Sequence, residues 1–114
     1  MELFKHQYEH RMADAASNPY TAVATVLQAA LLGVQNQYPL QPMETGNGFS
    51  SNDATQGVAS SLTDALNDLD ADHALSAAVG AGLVENHLYM KRAEVDKTTD
   101  FDPQTLRDWY IWYL

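Results

Sequence analysis

The chain has 114 residues, six Lys and Arg against fifteen Asp and Glu, and a formal net charge of -9. That length fits a single domain spanning 1–114 with a core of its own, and the absence of cysteine excludes disulfide scaffolds, thiolate zinc sites and cysteine nucleophiles. An acidic surface without a basic stripe repels polyanions, so no nucleic-acid partner is expected.

Residues 1–12 open with a roughly alternating pattern. Phe4, His6, Tyr8, His10 and Met12 fall on one side, and Lys5, Gln7, Glu9 and Arg11 on the other. This predicts one strand with a charged face. Its charges also leave no apolar core for a secretory leader, which points to a cytoplasmic protein. A lone strand leaves its backbone N–H and C=O groups unsatisfied, and no second strand is legible in the sequence.

The clearest helix is predicted over 18–36. Asn18 suits the N-cap and Pro19 the first turn. Val23, Val26, Leu27, Ala30, Leu31 and Val34 then repeat at helical spacing as one apolar face, with Gly33, Asn36, Pro39 and Pro42 ending it. The apolar run Ala22–Val34, interrupted by Thr25, Gln28 and Gly33, falls short of a bilayer span, so no membrane partner is expected. Residues 41–57 read as a loop, with Gly46, Gly48 and Gly57 among Ser, Asn and Asp.

Residues 60–113 read as helices throughout. Ser61 and Asp64 form a capping pair ahead of the stripe Leu62, Ala65, Leu66 and Leu69. Asp72 caps a short helix carrying Leu75, Ala78 and Val79, with Gly80 as its stop. A longer helix places Leu83, Val84, His87, Leu88 and Lys91 on one side. Asp102-Pro103 begins a last helix, in which Leu106, Trp109, Tyr110 and Tyr113 share a face. The fold class is therefore mainly α, one N-terminal strand followed by about five helices.

Glu9 and Arg11 are the candidate site residues. Two positions apart on a strand, they project from the same face. A carboxylate there offers hard oxygen to magnesium, and the guanidinium fork suits a phosphate. The plainer reading is a pair of exposed charges on an edge strand. The histidines give no zinc pattern: His6 and His10 share a strand face from which alternation excludes Glu9, while His73 and His87 sit on separate helices. Gly46 and Gly48 lack the lysine and helix start of a phosphate-cradling loop. The aromatic ending from Trp109 to Tyr113 reads as a packed helix or a subunit contact.

Glu9-His10-Arg11-Met12-Ala13-Asp14, followed by Asn18-Pro19-Tyr20 and the alanine-rich run 21–36, resembles the glutamine synthetase family. The likeness continues through Tyr38-Pro39-Leu40, the segment 60–97 and a terminal helix from Leu106 to Tyr113. It implies the C-terminal part of that family's catalytic domain, which is α+β in the parent fold. It also implies an ATP-dependent carboxylate–amine ligase using Mg2+ or Mn2+, which phosphorylates the glutamate side chain and lets ammonia or an organic amine displace the phosphate. Glu9 then matches a metal-ligand carboxylate, and Arg11 a catalytic arginine that steadies the transferring phosphate. The Glu-His-Arg form resembles the branch that uses organic amines. Gln7 stands where relatives carry arginine, and Ala13 where the ammonia-using branch carries proline. The family's β-grasp domain, its other metal ligands and its glutamate-binding arginines have no counterpart in these residues. The chain is therefore expected to be a truncated reading, an excised fragment or a decayed gene product, inactive alone and with no tightly bound cofactor. Its partner would be the rest of the ligase chain or another subunit, with a homo-oligomer as a further state. The alternative is a stand-alone, non-catalytic helical self-association module that keeps the family packing.

Overall fold

A computed structural model describes residues 10, 12–14, 17–40, 46 and 57–112 of the chain. They form five helices: α1 (Pro19–Gln35), α2 (Leu62–Ala71), α3 (His73–Val79), α4 (Ala81–Thr98) and α5 (Pro103–Ile111). No strand occurs among the described residues. His10 and Met12 are exposed and irregular, and the rest of the predicted strand lies outside the described residues. So does nearly all of the predicted loop, and Tyr113.

Each helix start except that of α4 is fixed by a side-chain oxygen. Asn18 Oδ1 accepts from the amides of Tyr20 (3.0 Å) and Thr21 (3.5 Å). Ser61 Oγ accepts from Asp64 N (3.1 Å), and Asp72 Oδ1 accepts from Leu75 N (2.9 Å). Asp102 Oδ1 accepts from Gln104 N (2.9 Å) and Thr105 N (3.0 Å). These bonds satisfy amides that have no partner within the helix. The Ser61–Asp64 pair is a modified capping box: the Asp64 carboxylate accepts from the Ser60 hydroxyl (3.0 Å). Replacing Asn18 with alanine is expected to cost about 1 kcal/mol of stability, read as a lower urea midpoint. No change in midpoint would mean that this cap contributes nothing.

Gly33 does not end α1, which runs through it to Gln35. Termination comes from a Schellman turn instead: Tyr38 N donates to Gly33 O (3.0 Å) and Gln37 N to Val34 O (3.3 Å). Gln37 takes the left-handed conformation (φ 52°) that glycine usually supplies there. Between α3 and α4 the chain turns on Gly80 alone (φ 120°), where an L side chain would be strained.

α3 is the hub, packing against α1, α2 and α4, while α2 also packs against α4. The core joins Leu66 of α2 to Val84 and Leu88 of α4, with Leu69, Val79 and Val95 packed against them. Leu83 and His87, grouped with these by their spacing, are exposed on α4. The apolar face of α1 is largely exposed, with Val26 its one half-buried member. Val23, Leu27, Ala30, Leu31 and Val34 are exposed. α1 packs against α3, and its half-buried side mixes Ala22, Thr25, Val26 and Gly33 with the larger Gln28 and Leu32.

Candidate functional site

The two candidate residues, Glu9 and Arg11, lie outside the described residues. What is described is their immediate setting. His10 is exposed between them, and Met12, Ala13 and Asp14 come next, also exposed. The chain then turns, Ser17 N donating to Asp14 O (3.0 Å), and enters α1 through the Asn18 cap. Thr21 Oγ1 returns a hydrogen bond to Asn18 O (3.0 Å) and Thr25 Oγ1 one to Thr21 O (2.8 Å), so the first turns of the helix are pinned by side chains. Segment 9–11 is thus joined by a short turn to the start of the longest apolar helix.

Elsewhere the described polar groups form ion pairs and small hydrogen-bonded clusters. A shallow groove of about 380 Å³ runs along α4 beside α2, lined by Asp70, Glu85, Leu88, Tyr89, Arg92 and Asp96. Arg92 and Asp70 are ion-paired across it at 2.8 Å, with both side chains about half exposed. Such a pair is worth at most about 1 kcal/mol. Among the described residues no group of three His, Asp or Glu is placed to hold a metal ion, and no helix is long and apolar enough to cross a membrane.

A polar cluster among the described residues joins α4 to α5, and local sequence patterns do not announce it. Glu94 accepts from Lys91 Nζ (2.7 Å) and from the Tyr110 hydroxyl (2.5 Å). One turn on, Lys97 Nζ lies 4.9 Å from the centre of the Trp109 ring, whose edge meets Phe101 at 5.9 Å and 67°. The hydrogen bond from Lys91, then that from Tyr110, holds the Glu94 carboxyl below its ordinary range. The same bond to Glu94 pushes the Tyr110 phenol up to about 12. A raised phenol contributes stability that is intact below its unfolded value of about 10 and is lost as pH rises towards 12. A lowered carboxyl contributes stability that is present above its ordinary value and is lost as pH falls through the native one. The contact between α4 and α5 is therefore expected to loosen at both ends of the pH scale, monitored by the fluorescence of Trp109 and Trp112. Tyr110→Phe should shrink the alkaline limb and leave an acid limb through Lys91. An unchanged alkaline limb would refute the assignment.

The described helices thus make a packing unit beside the segment that carries the candidate residues, not a complete site in themselves. The family described as glutamine synthetase, catalytic domain, matches residues 3–110. Over 112 residues the chain is 30% identical to Protein fluG of Emericella nidulans, covering 91% of this chain and 13% of that protein. It is 32% identical over 94 residues to the glutamine synthetase of Methanocaldococcus jannaschii, covering 77% of this chain and 21% of that one. A shorter stretch of 44 residues, 39% of the chain and 9% of that protein, is 41% identical to the gamma-glutamylputrescine synthetase PuuA of Escherichia coli. No solved structure matches. The chain belongs to the glutamine synthetase family, and it spans about a fifth or less of the length of these relatives.

Proposed function

We propose that the chain is the C-terminal portion of an ATP-dependent carboxylate–amine ligase that joins glutamate to ammonia or an organic amine as a γ-glutamyl amide. Glu9 serves as a metal-holding carboxylate, Arg11 steadies the phosphoryl group in transfer, and the rest of the ligase chain or another subunit completes the site. The observation that carries this reading is the family match, which runs through Glu9 and Arg11 and on to residue 110. The PuuA likeness supports an organic amine, as does the Glu-His-Arg sequence itself. A cytoplasmic protein accords with the absence of cysteine.

The donor chemistry fits. Phosphoryl transfer is catalysed mainly by positioning and by charge set where charge develops, and an arginine fork meets phosphate oxygens in two places. Magnesium or manganese, when bound, offsets the charge of the ATP phosphates. It takes about six oxygens, so Glu9 supplies a minority of its ligands and the described residues add no cluster to complete them. Alone, the chain is inactive and binds neither ATP nor metal tightly.

The test is to co-express the chain with the preceding region of a family ligase and to assay phosphate release that depends on glutamate, ATP and an amine. Amide formation by the pair, and none by the chain alone, is the expected result. Turnover by the isolated chain, or none by any combination in which the two polypeptides form a folded complex, would overturn the reading.

A further inference from the structure

We infer that α5 is a latch: it undocks from α4 by pivoting on residues 99–102 and melts as one unit while α1–α4 stay packed. The latch does not depend on the ligase reading. Of the five helices, α5 alone has neither a buried residue nor a broad contact with another helix among the described residues. It adds nothing to the core of Leu66, Val84 and Leu88, nor to the residues packed around that core. Its own half-buried side chains are Leu106, Trp109 and Tyr110.

The polar contacts between the two helices are confined to their C-terminal ends. The Tyr110 hydroxyl donates to the Glu94 carboxylate, and Lys97 Nζ sits over the Trp109 ring. α4 is complete without them. Thr98 Oγ1 donates to Glu94 O (2.9 Å) and Thr99 Oγ1 to Val95 O (2.8 Å), so its last turn is closed by its own side chains.

α5 is not complete without α4. It has nine residues, fewer than the roughly 12–15 at which an isolated helix becomes even marginally stable in water. The Asp102 cap and Pro103 favour its first turn but do not change that length. Docking and helix formation are therefore one step. Residues 99–102 belong to neither helix and supply the pivot. Units held this lightly open at free energies well below that of global unfolding. The open state uncovers the α4 face carrying Glu94 and Lys97, and releases Trp109 and Tyr110.

Hydrogen exchange followed by mass spectrometry on the full 114-residue chain tests this at neutral pH, comparing residues 106–111 with residues 84–96. Where reclosing is fast, the exchange rate follows the opening constant of each segment. Residues 106–111 are expected to exchange together, about tenfold or more faster than 84–96 and about tenfold or more slower than the same sequence as a free peptide. Tyr110→Phe keeps the ring and removes the donor, and should speed residues 106–111 about tenfold, the scale of a hydrogen bond to a charged group. Lys97→Gln should speed the same segment about threefold, the scale of an exposed cation over an aromatic ring. Both substitutions should leave residues 84–96 unchanged. Equal rates in the two segments, fast or slow, would place α5 in one cooperative unit with the rest. Acceleration of both segments by Tyr110→Phe would show that opening α5 opens the core. Exchange of 106–111 at the free-peptide rate would show that α5 is not docked. Each of these three overturns the inference.

Discussion

Replacing Leu66 with alanine is expected to remove about 2–5 kcal/mol of folding stability, the range for deleting a buried leucine side chain. Leu66 is 3% exposed, the most buried of the three core residues among those described. It is the contribution of α2 to a contact with Val84 and Leu88 of α4, so the cavity opens where the helices meet. Domains of this size are held by about 5–15 kcal/mol in total. The substituted chain should therefore lose a large share of its stability. Urea titration monitored by far-UV circular dichroism reads this as a large fall in midpoint at similar slope. Leu62→Ala, on the same helix but 41% exposed, should cost less than about 1 kcal/mol. Equal effects at the two positions would show that the core is not centred on Leu66.

In the assembled ligase, Arg11→Ala is expected to lower kcat on the order of 100- to 1000-fold, the scale seen when a donor to a developing negative charge is removed. Arg11→Lys should recover only part of the loss, because an ammonium keeps the charge but not the fork. Glu9→Gln keeps the size of the side chain and removes its charge. It is expected to raise the magnesium concentration needed for half-maximal rate, where Arg11→Ala is expected mainly to change the rate at saturating metal. Initial rates of phosphate release across a magnesium titration separate the two roles. A change of less than about threefold in kcat/KM for Arg11→Ala, about 0.6 kcal/mol of transition-state stabilisation, would remove the arginine from the mechanism.

Helix starts were the most legible part of the fold. Asn18, Ser61, Asp72 and Asp102 all cap in the structure as the sequence suggests, because a cap depends on one side chain and amides two or three residues away. Facing was less legible. Spacing identifies a stripe but not which way it faces: Val23, Leu27 and Leu31 are exposed, while Val26 of the same stripe is half-buried. On α4, apolar neighbours in sequence split between Val84 and Leu88, which are buried, and Leu83, which is 48% exposed. The bonds from Tyr110 to Glu94 and from Arg92 to Asp70 span 16 and 22 residues and arise from helix placement, which no local pattern encodes. Glu9 and Arg11 stand out as charges two apart on one predicted strand face, but only the resemblance to the glutamine synthetase family gives them roles. Their partners lie outside this chain on the ligase reading, so no inspection of these residues alone could supply the rest of that site.

Asp72 closes α2 and opens α3, and Gly80 closes α3 and opens α4. Three consecutive helices are therefore coupled through single residues, with no slack between them. An inserted residue at either joint would rotate the next helix by about 100°, swinging Val84 and Leu88 away from Leu66 or Leu66 away from both. An insertion or deletion at either joint is therefore expected to cost the Leu66–Val84–Leu88 core. The segment from Leu62 to Thr98 behaves as a fixed-length cassette, open to residue replacement but closed to changes in length.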